Sequence, residues 1–86
     1  MVSRRRRGVD LQTLIEHLGI AEQNVIVGRQ HVSKQRGLVA RLSSEGYDTQ
    51  NAIDLLRTFE ASLALHIEDR DRLQAALDKA AQEPRT

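Results

Sequence analysis

The sequence has no cysteine and no tryptophan, and Tyr47 and Phe59 are its only aromatic residues. The lack of cysteine excludes a disulfide framework, a thiolate zinc site and a cysteine nucleophile. The scarcity of aromatics argues against a bulky globular core, whereas helices packed in coiled-coil fashion manage with Leu, Val, Ile and Ala. No apolar run approaches the length of a membrane span. The N-terminal arginine run followed by apolar residues has the outline of an export signal. Asp10, Glu16 and His17 interrupt that stretch, however, and no small-residue cleavage site follows it. The expectation is an unprocessed cytoplasmic protein with no membrane contact.

What is present fits a small folded chain. Its 86 residues allow one domain at most. An apolar fraction of 40% with 29% charged residues is too apolar for a wholly disordered chain. The net charge of +1 hides an uneven distribution. Four of the thirteen Lys and Arg residues are Arg4, Arg5, Arg6 and Arg7, which leaves nine against twelve Asp and Glu elsewhere. Residues 1–8 carry these like charges without apolar periodicity and are expected to form a disordered basic arm. Asp10 then offers an N-cap, with Val9 and Leu14 spaced as a hydrophobic staple.

Beyond the arm, apolar residues recur in alternating steps of three and four: Leu11, Leu14, Leu18, Ala21, Val25, Gly28, Val32, Gln35, Val39 and Leu42. The mean step of ~3.5 is the period of a left-handed coiled coil. The segment from Ser43 to Thr49 breaks the pattern. Gly46 is placed as the left-handed residue that ends a helix, Tyr47 can fold back onto Leu42, and Asp48 can cap the next helix. A second seam follows: Ala52, Leu56, Phe59, Leu63, His66, Arg70, Leu73, Leu77 and Ala80. Pro84 and a polar tail over 83–86 close the chain.

The expected fold is therefore all-α: a helix over about 10–45, a loop over about 46–48 and a helix over about 49–82, folded as an antiparallel hairpin. At 1.5 Å per residue the hairpin would be roughly 50 Å long. Folding back at the loop pairs Leu42 with Ala52, Val39 with Leu56, Gln35 with Phe59, Val32 with Leu63, Gly28 with His66 and Val25 with Arg70. Leu18-Gly19-Ile20 also reads as a helix C-cap, which would split the first helix near Gly19. The unbroken phase through that site favours one continuous helix.

A single two-helix layer leaves each helix half exposed, and apolar residues lie off the seam. Ile15, Leu38, Ile53, Leu55 and Ile67 flank it, while Ile20, Ile26, Val27 and Leu65 point further out. A second apolar stripe implies a further helical layer. The simplest solution is a two-fold dimer forming a four-helix bundle, with Ile20, Val27, Leu65 and Ile26 as contact residues. A helical protein partner is the other occupant of such a surface.

Little in the sequence carries chemistry. His31 and His66 should lie near each other across the seam, with Gln35 one turn from His31. No Asp or Glu falls on the seam at that level and His17 is about four turns from His31, so the reading is packed histidines rather than a metal site. A seam histidine is a place where stability responds to pH. Arg70 on the seam must be paired or reach the rim, and it reads as a register device beside a Glu68–Arg72 pair. Ser43, Ser44 and Thr49 have no histidine nearby. Gly19, Gly28, Gly37 and Gly46 recur every nine residues but fit no phosphate-binding loop. No enzyme activity and no cofactor are expected.

Gly28-Arg29-Gln30-His31-Val32, Gln35-Arg36, Gly46-Tyr47-Asp48-Thr49, Leu55-Leu56, Phe59-Glu60, His66 and Asp69-Arg70-Asp71-Arg72-Leu73 form a recognisable set. It resembles a group of short uncharacterised proteins of soil and plant-associated alphaproteobacteria, over most of residues 21–77. The shared pattern is G-x-x-H-[IV]-x-x-Q-R, G-x-D-T, F-E and D-R-D-R-L. Gly19 and Gly37 depart from it, since ordinary helix formers stand there in the group. The resemblance implies a bacterial helical hairpin and carries no established activity.

The rival functional class is a nucleic-acid-associated accessory protein that uses Arg4, Arg5, Arg6 and Arg7, because a basic arm binds polyanions through charge alone. The rest of the chain offers no basic face, stacking aromatics or helix-turn-helix spacing. Deleting residues 1–8 is expected to abolish any low-salt binding to duplex DNA or RNA while leaving self-association unchanged, as read by a binding titration and by sedimentation.

Overall fold

The computed structural model describes the backbone of residues 2–82 and the side chains of residues 11–82. Two helices, α1 (Val2–Ser44) and α2 (Gln50–Gln82), pack against each other as an antiparallel hairpin. Its extents are 66 × 20 × 13 Å. The length is greater than the expected ~50 Å because α1 has 43 residues, each adding about 1.5 Å.

The two seams meet as their spacing requires. In α1 every seam position from Leu14 to Leu42 is buried or half-buried, and in α2 every one from Ala52 to Ala80. The deepest apolar residues are Leu18, Ala21, Val25, Val32 and Leu73. Leu18, Ala21 and Leu73 form one cluster, with Leu14 and Leu77 packed against it toward the open end of the hairpin. The helix is continuous through Gly19, and the buried neighbours Leu18 and Ala21 show why. A break at Gly19 would move one of them off the seam.

At its other end, α1 begins at Val2 rather than at the expected Asp10 start, so its backbone runs through the stretch anticipated as a disordered arm. Arginine is a good helix former, and lengthening an existing helix avoids the cost of a new nucleus. The side chains of Arg4, Arg5, Arg6 and Arg7 and the Val9–Asp10 start signal lie outside the described residues, as does the 83–86 tail.

The reversal is a Schellman turn. Gly46 has φ of 82°, its amide donates to the Ser43 carbonyl at 3.1 Å, and the Tyr47 amide donates to the Leu42 carbonyl at 2.9 Å. These bonds satisfy carbonyls that the end of α1 would leave free. The Tyr47 ring remains 63% exposed, so the brace identified here is its backbone amide. Asp48 Oδ1 accepts the Gln50 amide at 3.0 Å, and the first helical bond of α2 runs from the Ile53 amide to the Thr49 carbonyl at 2.9 Å.

The register differs from the expected pairing by about one turn. Gly28 faces Leu63, not His66: a Cβ at Gly28 would stand 3.1 Å from Leu63 Cδ1 and 3.8 Å from its Cα. Gln35 reaches the carbonyl of Ala52 at 2.9 Å, where the expected pairing gave Ala52 to Leu42 and Phe59 to Gln35. The cause is the connection. Tyr47, Asp48 and Thr49 are not helical. Non-helical chain advances up to ~3.3 Å per residue against about 1.5 Å in a helix. Three such residues therefore carry the chain about 5 Å further along α1 than helical counting allows, which is one turn.

Gly19 and Gly37 have nothing within 4 Å of an added Cβ, whereas Gly28 is filled by Leu63. Gly19→Ala and Gly37→Ala are expected to stabilise the protein by about 1 kcal/mol each through helix propensity. Gly28→Ala forces Leu63 to move and should lose most or all of that gain. Thermal unfolding of the three variants checks this, and equal gains at all three positions would contradict the close approach at Gly28.

Candidate functional site

A helix buries one stripe and leaves two flanks, so a two-helix hairpin presents two broad faces. On one flank of α1 a seven-residue spacing aligns Asn24, His31 and Leu38, with Ile20 and Val27 on the next strip outward. The facing flank of α2 carries Leu55, Ser62 and Asp69, with Leu65 outward of them. Between these flanks lies a shallow groove of about 180 Å³ lined by Asn24, Val27, Gly28, His31, Phe59, Ser62 and His66. Gly28 lines it at mid-length.

His31 and His66 thus share one groove, although Leu63, and not His66, fills the space at Gly28. The His31 ring lies against Phe59, with centroids 5.2 Å apart and planes tilted by 39°. His66 is half-buried and His31 is exposed. Among the described residues no group of three or more His, Cys, Asp or Glu side chains gathers in one place. The groove therefore offers two imidazoles and no carboxylate.

The apolar residues of this face remain in contact with water. Leu65 is 65% exposed and Ile20 is 59% exposed; Val27 is half-buried at the groove wall. Ile26 is exposed too, but adjacent helical residues point about 100° apart, so Ile26 looks away from Val27 toward the other face. Ile15 falls on that other side as well. The opposite edge is more polar: Arg36 there donates to Glu60 across the helices at 3.0 Å.

Arg70 resolves its seam position by reaching the rim. Its Nε donates to Asp71 at 2.9 Å, with 30% of the side chain exposed. Arg72 bonds to Asp69, not to the anticipated Glu68. The seam retains one buried polar side chain among the described residues, Gln35, and its amide is satisfied by the Ala52 carbonyl. Sequence reasoning missed the Gln35–Ala52 and His31–Phe59 contacts because both depend on the register, whereas the Arg36–Glu60 pair was already adjacent in the expected Gln35–Phe59 pairing. A register count that allowed for the non-helical Tyr47–Thr49 would have brought Gly28 to Leu63.

No family model, curated protein or solved structure matches the chain. No helix among the described residues is long and apolar enough to cross a membrane.

Gln35 joins the helices through one hydrogen bond at a buried position. Gln35→Ala is expected to destabilise the fold by about 1–2 kcal/mol, from the lost bond and lost packing. Arg36→Ala, which removes an ion pair with side chains 65% and 42% exposed, should cost no more than about 0.5 kcal/mol. Urea unfolding of both variants gives the comparison.

Proposed function

We propose that the protein is a helical self-association module whose working surface is the face carrying Ile20, Val27, Leu38, Leu55 and Leu65, and that a second copy covers this face to complete a four-helix bundle. One observation carries the reading. Ile20, Leu55 and Leu65 on this face are 59%, 44% and 65% exposed. A contiguous exposed apolar surface of this kind marks an interaction site. No side chain in the described part is fully buried, because a two-helix layer has no interior beyond its seam.

A second copy of this chain fits the surface by symmetry. The groove lies near mid-length of the hairpin, with Leu38 and Leu55 on its loop side and Ile20 on its open side. A two-fold axis along the hairpin sets Val27 against Leu65 and Leu38 against Leu55, which share levels in the Gly28–Leu63 register, and keeps the Arg36–Glu60 edge in water. The resemblance to short alphaproteobacterial proteins supports a bacterial helical hairpin and adds no reaction. The shallow groove and the absence of a carboxylate beside the histidines favour association over catalysis.

Sedimentation equilibrium of the full chain is expected to give about twice the chain mass of 9.7 kDa. Leu65→Glu places a charge on the exposed centre of the face. It should weaken association by about tenfold or more while leaving helicity unchanged. A monomer mass throughout a series up to hundreds of micromolar would overturn the proposal, and so would a Leu65→Glu variant that associates like the parent.

A further inference from the structure

The groove at mid-length acquires a property if the face is covered by a second copy. A two-fold pairing that covers the whole face must lay the middle of one hairpin on the middle of the other. This holds whether the two loops lie at the same end or at opposite ends. Each groove then closes on its own copy, and four imidazoles, His31 and His66 from each chain, leave bulk water together.

The charged form of an imidazole bears the cost of that step. In the open groove a protonated ring keeps solvent on one side. In the closed groove the same cation loses water and meets like charges from the partner. No carboxylate lines the groove to offset this. The nearest acids on α2 are engaged: Asp69 by Arg72, Asp71 by Arg70, and Glu60 by Arg36 on the other edge. On α1 the flanking residue Lys34 is itself cationic, and Asn24 and Gln35 are neutral. From both helices, therefore, the surroundings favour neutral histidine in the assembled state.

We propose that the paired grooves make self-association pH-dependent, with protonation of His31 and His66 driving the two copies apart. The inference rests on the self-association proposed above. Its sign is set by linkage. Assembly favours the neutral rings, so it strengthens as pH rises and weakens as pH falls.

The test is sedimentation of the full chain at pH 8.0 and pH 5.5, with helicity followed by circular dichroism. The dissociation constant is expected to rise about tenfold or more on acidification, one factor of ten for each pKa unit that assembly displaces. A His31→Gln, His66→Gln double variant should associate equally at both pH values. His31→Gln alone, at an exposed position, should show a reduced response and guards against misfolding of the double variant. A dimer of equal affinity at both pH values would overturn the pH inference and leave the dimer standing. A response that survives in the His31→Gln and double variants would also overturn it. A chain monomeric at pH 8.0 would instead remove the self-association reading beneath it.

Discussion

The contact between Gly28 and Leu63 sets the terms for the rest of the hairpin. With no side chain at Gly28, the Leu63 Cα can stand within 3.8 Å of where a Cβ would be, so the helices meet closely at mid-length. Seam residues on either side then pack in step. Toward the open end Leu18 and Ala21 enclose Leu73, and toward the loop Gln35 reaches the Ala52 carbonyl. Gly28 also lines the groove that holds His31 and His66. The connection sets the register, and this one position lets the helices approach closely at mid-length.

Much of this architecture is legible in the chain itself. The alternating steps of three and four identify both seams, and burial follows them from Leu14 to Leu42 and from Ala52 to Ala80. Gly46 and Asp48 mark the reversal because their roles are local: a left-handed backbone and a side-chain cap need only near neighbours. The register is less legible, since it depends on how far three non-helical residues travel, and composition does not reveal that distance. The groove inherits the same difficulty. Its two histidines can be brought together from the sequence, but the Phe59 ring beside His31 cannot. The start of α1 also escaped, because the arginine run satisfies both a helix and a charged arm.

The surface balance gives the hairpin its functional character. A third or fourth helix would bury what two helices leave out, and the described residues form two. The groove side exposes Ile20 and Leu65, and the side with Arg36 and Glu60 exposes Ile15 and Ile26. The imidazoles lie on the groove side.

The Schellman reversal has a consequence for how the chain reaches this state. Contacts in a hairpin grow more distant in sequence with every turn away from the loop: Gln35 and Ala52 are 17 residues apart, Leu18 and Leu73 are 55. The cheapest closure joins the residues beside Gly46, and each later contact closes on a loop already shortened by the previous one. Loop-closure entropy thus favours closure from the turn outward. The apolar cluster of Leu14, Leu18, Ala21, Leu73 and Leu77 lies at the far end, as the clasp that closes last and keeps the open end from fraying.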